Sequence, residues 1–337
     1  MPKKLHHGAR GQGKNRKKHK YKSKPAGESS AHFKQVEIPG KGQGLVATAR
    51  LPVGKILIQE SPLITANDGP SRDQEIVAKF RLLNDMRKNQ LLSLHDPGPT
   101  SVQEKNLSRP ESEDKAVRIF EDNCLGLHYK EEDLKMSGLY KTISRINHSC
   151  APNVVWSWIR RDKSKVVKQV RVIREIKEEE ELLVRYWGAH EFASKEERQN
   201  RLSPWNFSCS CEVCALTEDD LLENEKARAR IRDLHTAIND KFDAGLPKQA
   251  YKAAKEKLET MRLIEKEVIV ELPAALMECC EMAAFSKLPN FQANTTGLMK
   301  KAKDMSQRLG DAHMDLYEKY SKSWLDHVTS KILGNIK

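Results

Sequence analysis

Three cysteines fall within six residues, Cys209-Ser-Cys211-Glu-Val-Cys214, and no other feature narrows the folds open to this chain so sharply. Thiols at that spacing reach one metal ion from a short stretch of backbone, and the total of seven cysteines is odd, which suits a disulfide framework poorly. A closed structural metal site takes four ligands, so three thiolates in one segment leave one position to be filled from elsewhere in the chain. A reducing, intracellular setting follows from that chemistry.

The 337 residues, 38% of them apolar, allow one large domain or two ordinary ones with a real core. No run of eighteen apolar residues occurs, and the basic N-terminus lacks an apolar segment with a small-residue cleavage site, so neither a membrane span nor a signal peptide is expected. The expectation is a monomer in the nucleus, the cytoplasm or both. The net charge of +12 is concentrated at the start, where Lys3, Lys4, Arg10, Lys14, Arg16, Lys17, Lys18, Lys20, Lys22 and Lys24 meet no acid. Residues 1–32 therefore read as a disordered basic tail, free to contact nucleic-acid phosphates or an import receptor, or simply to keep the chain soluble.

From Phe33 the text changes to short β-like runs, at 35–38, 45–49 and 55–60, around the turn Gly40-Lys-Gly42-Gln-Gly44. Residues 71–95 switch to helical spacing, with Ile76, Val77, Phe80 and Leu83 on one face, and a second helix ends near Cys124 after a Pro/Ser-rich break. Strands return at 154–160, 166–173 and 182–186. The expected architecture is α+β: a β-rich domain over 33–215 with a helical insert at about 70–123, then an all-α domain over 216–337. In that last part Pro247, Pro273 and Pro289 punctuate Ala-, Glu-, Lys- and Leu-rich text, which suits a tetratricopeptide-like stack or an irregular bundle equally.

Three further segments carry chemistry. In Gly40-Lys41-Gly42-Gln43-Gly44 the missing Cβ atoms permit close backbone approach to a ligand or positive φ, but a β-like run follows, which disfavours a triphosphate loop. Arg145-Ile-Asn147-His148-Ser-Cys150-Ala-Pro-Asn153 is dense in donors and acceptors, and Glu180-Glu-Leu-Leu-Val-Arg-Tyr186 is a strand ending in tyrosine. Each alone has an ordinary structural explanation: a hairpin turn, a satisfied histidine, a core tyrosine.

Their order, Gly-x-Gly, then Asn-His-Ser-Cys-x-Pro-Asn, then Glu-Glu-Leu-x-x-x-Tyr, then Cys-x-Cys-x-x-Cys, resembles the SET domain of protein lysine methyltransferases with its post-SET zinc site. The resemblance spans residues 33–215. It is nearest to the SET-and-MYND group, through Leu139-Tyr140-Lys-Thr-Ile-Ser-Arg-Ile-Asn147 and Trp205-Asn-Phe207-Ser-Cys209, although the MYND zinc finger is missing because residues 67–123 hold no cysteine. It implies S-adenosyl-L-methionine and Zn2+ as cofactors and a protein with a target lysine as substrate. Cys150 is then the best fourth ligand beside Cys209, Cys211 and Cys214. Gly42, Gly44, Asn123, Asn147, His148, Tyr186 and Phe207 are the implied cofactor contacts, with Tyr186 the catalytic residue at the mouth of a narrow lysine channel. This chain departs from the family at Trp205, where a second channel tyrosine is frequent, at Glu179 in place of a glycine, and at Ala151 in place of an aspartate. Those departures keep a second expectation open, a SET-fold adaptor that has lost turnover and binds partners through its helices.

Overall fold

Strand β1 (Phe33–Ile38) turns back on β2 (Gly42–Ala47), with Phe33 opposite Ala47 and Ile38 opposite Gly42. The turn takes Gly40 and Gly42 to φ of +73° and +69°, which residues with a Cβ enter only at a cost. Our computed structural model describes residues 32–99, 109–129, 132–162, 165–187, 192–287 and 291–310, together with 314, 317, 318, 321 and 322. The basic tail expected over residues 1–31 lies outside that set.

Two antiparallel three-stranded sheets follow. One has β3 (Ile56–Glu60) and β8 (Val154–Asp162) on either side of β9 (Lys165–Val172). In the other, β6 (Glu132–Leu139) is flanked by β4 (Ile64–Asn67) and β5 (Leu125–Tyr129). Leu45, Leu51, Ile143, Ile146, Val154, Val170, Ile176 and Leu182 pack into the core between the hairpin and the first sheet.

The insert folds as α1 (Arg72–Arg81), α2 (Asp85–Leu92) and α3 (Glu111–Asn123). Ile76, Val77 and Phe80 point inward with Leu91, Ile119 and Phe120, as their spacing requires, while Leu83 is only partly buried. Asn84 starts α2 by accepting the Arg87 N–H at 3.0 Å. The elements described between 70 and 123 are all helical, and β4 and the β5–β6 hairpin on either side of that span share the helices' core through Ile64, Ala66 and Leu139.

Beyond Thr217, whose hydroxyl caps the helix start by accepting from Asp220 N, come α5 (Glu218–Asp243), α6 (Pro247–Leu263), α7 (Leu272–Phe285) and α8 (Phe291–Leu309). Each packs on the next in chain order. Small residues at Ala250, Ala253, Ala254, Ala275 and Ala302 let the axes approach, and Ile231, Leu258, Met261 and Met277 fill the space between. The end of α8 returns to the β-rich half, where Arg308 lies against Gly54 and Gly310 against Arg171. No helix among the described residues is long and apolar enough to cross a membrane.

Candidate functional site

Two short strands do the decisive work. Asn147–His148 (β7) pairs in parallel with Leu183–Val184 (β10), Leu183 opposite Asn147 and Val184 opposite His148. Backbone bonds extend the pairing: Ser149 N donates to Val184 O (2.9 Å) and Asn153 N to Leu183 O (3.0 Å). The fully buried Asn153 acts as a side-chain clasp, accepting from Leu183 N at 2.7 Å and donating to Glu181 O at 2.8 Å. On the other side Leu182 N donates to Leu45 O (2.7 Å) and Ala47 N to Glu180 O (2.9 Å). Three segments more than a hundred residues apart at their extremes are thus braided side by side.

The braid explains one glycine. A Cβ on Gly44 would fall 2.6 Å from Ile38 Cγ1, 2.9 Å from Asn147 Nδ2 and 3.0 Å from Glu181 Oε1, so no side chain fits. Those neighbours are themselves linked, since Asn147 Nδ2 donates to Glu181 Oε1 at 2.8 Å and Lys41 reaches Glu181 Oε2 at 2.8 Å. Gly42 differs: it needs its positive φ but faces open space. The glycine segment was expected as a loop; Gly42 and Gly44 instead lie in β2, held there by pairing with β1.

His148 is 4% exposed, and its Nδ1 accepts from the Tyr186 backbone N–H at 3.2 Å. That leaves the ring proton on Nε2, which faces Cys150 Sγ at 3.6 Å. Burial pulls the imidazole down to about 3, against the opposing charge of Cys211, so the ring is neutral. Tyr186 donates its phenol to Ile146 O at 3.2 Å, and burial, then Asp122 and Glu181, push its pKa up, so the hydroxyl keeps its proton. Around it stand aromatic rings: His148 at 5.3 Å between centroids, Trp205 at 5.2 Å, and Phe207 edge-on at 6.4 Å. Trp205 is pinned by its indole N–H on Asp122 O (3.0 Å), whereas Phe207 presents an exposed face.

Behind the aromatic rings the sulfurs of Cys150, Cys209, Cys211 and Cys214 all lie within 4.8 Å of one another, all as free thiols. Cys150 Sγ is 4.0 Å from Cys209 Sγ and 3.5 Å from Cys214 Sγ. Four sulfurs at about 2.3 Å around a tetrahedral ion stand about 3.8 Å apart, so the donor set fits zinc in both chemistry and size. Hydrogen bonds from the other three thiols draw Cys211 down and favour its thiolate. Arg198, 2% exposed, adds a guanidinium 3.8 Å from Cys214 Sγ; burial opposes its charge, yet Cys150 and Cys214 hold its pKa above the ordinary value.

Against this geometry, residues 42–187 match the family model of the SET domain. Those residues have the SET-domain fold. Among curated proteins it is 29% identical over 189 residues to the histone-lysine N-methyltransferase set5 of Schizosaccharomyces pombe, covering 55% of this chain and 51% of that one. To the N-lysine methyltransferase SMYD2 of Homo sapiens it is 27% identical over 182 residues, covering 53% of this chain and 38% of that protein. The chain therefore spans about half, or less, of the length of the relatives it matches. A crystal structure of the SET domain of LSMT bound to lysine and AdoHcy overlays 89% of each chain at 12% identity, loosely, with a TM-score of 0.36.

The expected site residues Gly42, Gly44, Asn147, His148 and Tyr186 lie within the matched span, Phe207 packs near them from beyond it, and the four cysteines stand behind the braid. Asn123 is engaged differently: its amide donates to His95 O and Ile119 O, both at 2.8 Å, and its carbonyl accepts from Ser144 Oγ at 2.9 Å, bracing α3 against the turn before β7. Sequence reasoning missed Glu60, buried beneath that turn and accepting from Thr142 N and Ile143 N at 3.0 Å each. Burial raises its pKa, against the lowering effect of those same backbone donors. It also missed Glu181 and Asn153 as clasps, although both stood inside the quoted motifs, and Arg198, for which a polar helix (α4, Lys195–Leu202) gave no signal. At Glu179, where a glycine was the family expectation, the backbone has φ of +62°, and the residue bears that conformation without the freedom glycine would give.

Proposed function

We propose that the chain is a protein-lysine N-methyltransferase that uses S-adenosyl-L-methionine, with Tyr186 as its catalytic residue. The observation that carries this reading is the braid itself, in which glycine-strand, Asn-His and Glu-Glu-Leu segments meet at one tyrosine beside a four-cysteine cluster. Gly42 offers bare backbone, Gly44 lets Asn147 close against β2, Asn147 and His148 offer polar groups, and the exposed face of Phe207 offers a stacking surface; that combination suits the amino-acid and adenine ends of the cofactor. Asn123, committed to bracing α3, is proposed to act by holding the turn before Asn147.

The bound cofactor supplies an electrophilic methyl group on a sulfonium. Only the neutral amine could accept that methyl, so the proton of the lysine ammonium would have to pass to solvent beforehand. Tyr186 keeps its own proton, so its hydroxyl orients the amine and does not act as the base. The rings of Tyr186, Trp205 and Phe207 exclude water, which lowers the lysine pKa and exposes the neutral amine to in-line attack. Cys150, Cys209, Cys211 and Cys214 would hold zinc, which ties the segment bearing Phe207 to the Asn-His motif.

The substrate is a protein lysine, to be sought first in basic nuclear or ribosomal proteins, and the setting is nuclear or cytoplasmic, in keeping with four free thiols in one cluster. We assign 33–215 to the SET unit and 216–337 to the helical unit. The basic tail, with nucleic acid or an import receptor as its partner, belongs to the same proposal. A second reading, the adaptor without turnover, is favoured by one observation: Trp205 fills space beside Tyr186 and is fixed there by its bond to Asp122 O. Transfer of labelled methyl from S-adenosylmethionine into fractionated cell protein separates the two. The enzyme predicts label with the wild-type chain and at least a tenfold loss with Tyr186→Phe and with His148→Ala; cofactor binding without label would favour the adaptor.

A further inference from the structure

Arg185 immediately precedes Tyr186, and its side chain turns away from the aromatic site into the helical half of the molecule. Its Nη1 meets Glu271 Oε1 at 2.5 Å and its Nη2 donates to the Glu267 carbonyl. Arg185 and Glu271 are 15% and 9% exposed, so the pair is shielded from solvent. Glu271 occupies the residue before α7, and Glu267 lies in the turns between α6 and α7.

Glu267 is held in place from the other side. Its carboxylate pairs with the buried Arg228 of α5 and accepts from Asn224 Nδ2 at 2.7 Å, while Arg228 Nε donates to Asn224 Oδ1 at 2.8 Å. Burial and the nearby Arg198 pull the Arg228 pKa down, and Glu267 counters them, so this carboxylate is needed where it stands. Arg198 extends the array from the cysteine side: it donates to Ala193 O at 2.8 Å, approaches Glu225 of α5 at 3.5 Å, and contacts Cys214 Sγ. A cavity of about 20 Å³ is lined jointly by Cys150, Arg185, Trp187, Arg198, Arg228 and Glu271, so the cysteine cluster and the charged array share one interior.

Resting on the methyltransferase reading, we propose that Arg185 is a positioning residue: through Glu271 and Glu267 it locks the backbone at Tyr186 to α5 and the α6–α7 turns. The helical half is thereby part of the catalytic unit and more than an appended platform. The physical reason is geometric. β10 is only two residues long, and past Val184 the strand pairing ends, so among the described residues the Tyr186 backbone N–H rests on His148 Nδ1 and its phenol on Ile146 O, and the anchored neighbour adds the tie to the helices. A planar guanidinium with two fixed donors anchors direction as well as distance, which a lysine cannot.

The test uses the full chain with Arg185→Ala, Arg185→Lys and Glu271→Gln, and Arg230→Ala as a control that removes only an exposed pair with Glu256. Amide hydrogen exchange is read on the peptide holding Tyr186, alongside metal content, S-adenosylhomocysteine affinity and methyl transfer. The expected result is at least tenfold faster exchange at Tyr186 in Arg185→Ala, a smaller acceleration in Arg185→Lys and Glu271→Gln, and none in the control. The kcat for transfer falls at least tenfold while metal content holds and the cofactor KM moves less than threefold. Unchanged exchange at Tyr186 in Arg185→Ala would overturn the proposal, and so would equal acceleration throughout residues 42–187 with loss of metal, since that marks general loosening. No methyl transfer by the wild-type chain, with the local exchange effect still seen in Arg185→Ala, would sink the enzymatic reading and leave the anchoring intact.

Discussion

The β-rich half and the helical half are stabilised by opposite kinds of contact. In the first, the joints are distant in sequence: Asn147 with Glu181, Leu45 with Leu182, Cys150 with Cys214. In the second, each of α5 to α8 packs chiefly on the helix next in the chain, and the longer joints, such as Arg228 with Glu267, stay within the stack. The consequence is a division of labour. Long-range joints bring chemically different segments to one point, which a reaction site requires, whereas a nearest-neighbour stack provides a firm body but no converging set of groups. Such a stack contributes to the site only where it sends a charge across the boundary, as Glu271 does to Arg185.

Removing the metal proposed for the four cysteines should break the contrast most severely. Structural zinc sites contribute on the order of 10 kcal/mol, so chelation, or Cys150→Ser, should strip hydrogen-exchange protection from residues 147–153 and 180–187 while α6 and α7 stay protected. A chain that keeps its braid without metal would remove zinc from the account.

Next in size is Glu267→Ala, which leaves the buried Arg228 without its carboxylate partner while the main-chain carbonyl that accepts from Arg185 remains. Truncating one partner of a buried ion pair costs about 3–5 kcal/mol, and the loss should appear in denaturant unfolding of the helical half. A change below about 1 kcal/mol would mean that the Arg228–Glu267 pair is solvated.

The two strand glycines sharpen the comparison within the β-rich half. Gly44→Ala forces a methyl against Ile38, Asn147 and Glu181, so it should cost about 3 kcal/mol and weaken S-adenosylhomocysteine binding markedly. Gly42→Ala meets no atoms and pays only for its positive φ, about 1–2 kcal/mol. Calorimetry that ranked them the other way would show the Gly44 contacts to be soft. Smallest of all, Glu179→Gly should stabilise by no more than about 1 kcal/mol, because relief of the φ of +62° is partly offset by losing the exposed pair with Lys34. Thermal melting resolves that change.

What the sequence made legible follows the same division. The motifs around Gly44, Asn147, Tyr186 and Cys209 could be read because their residue types are scarce and their spacing is tight. The helices could be read because Ile76, Val77 and Phe80, or the alanines of α6, repeat at helical intervals. The β5–β6 hairpin was missed: Glu132–Leu139 carries charged residues where an alternating strand would show apolar ones, and its pairing is irregular between Leu127 and Tyr129. The two-residue strand β7 leaves no periodic trace, and β10 is shorter than the strand expected over 182–186. Arg185 and Glu271 are 86 positions apart, each unremarkable in its own segment, so only the folded chain brings them together. Asn123 illustrates the converse: a resemblance singled it out, and its amide turns out to be spent on His95 and Ile119 carbonyls.

The most direct test of the central claim is a crystal structure of the full chain with S-adenosylhomocysteine, collected at the zinc absorption edge. The account predicts one anomalous peak among Cys150, Cys209, Cys211 and Cys214, the amino-acid end of the ligand at the Gly42–Gly44 backbone, and its adenosine against Asn147, His148 and the face of Phe207. A nucleoside bound away from the braid, or a metal-free cluster in a fully folded crystal, would contradict it.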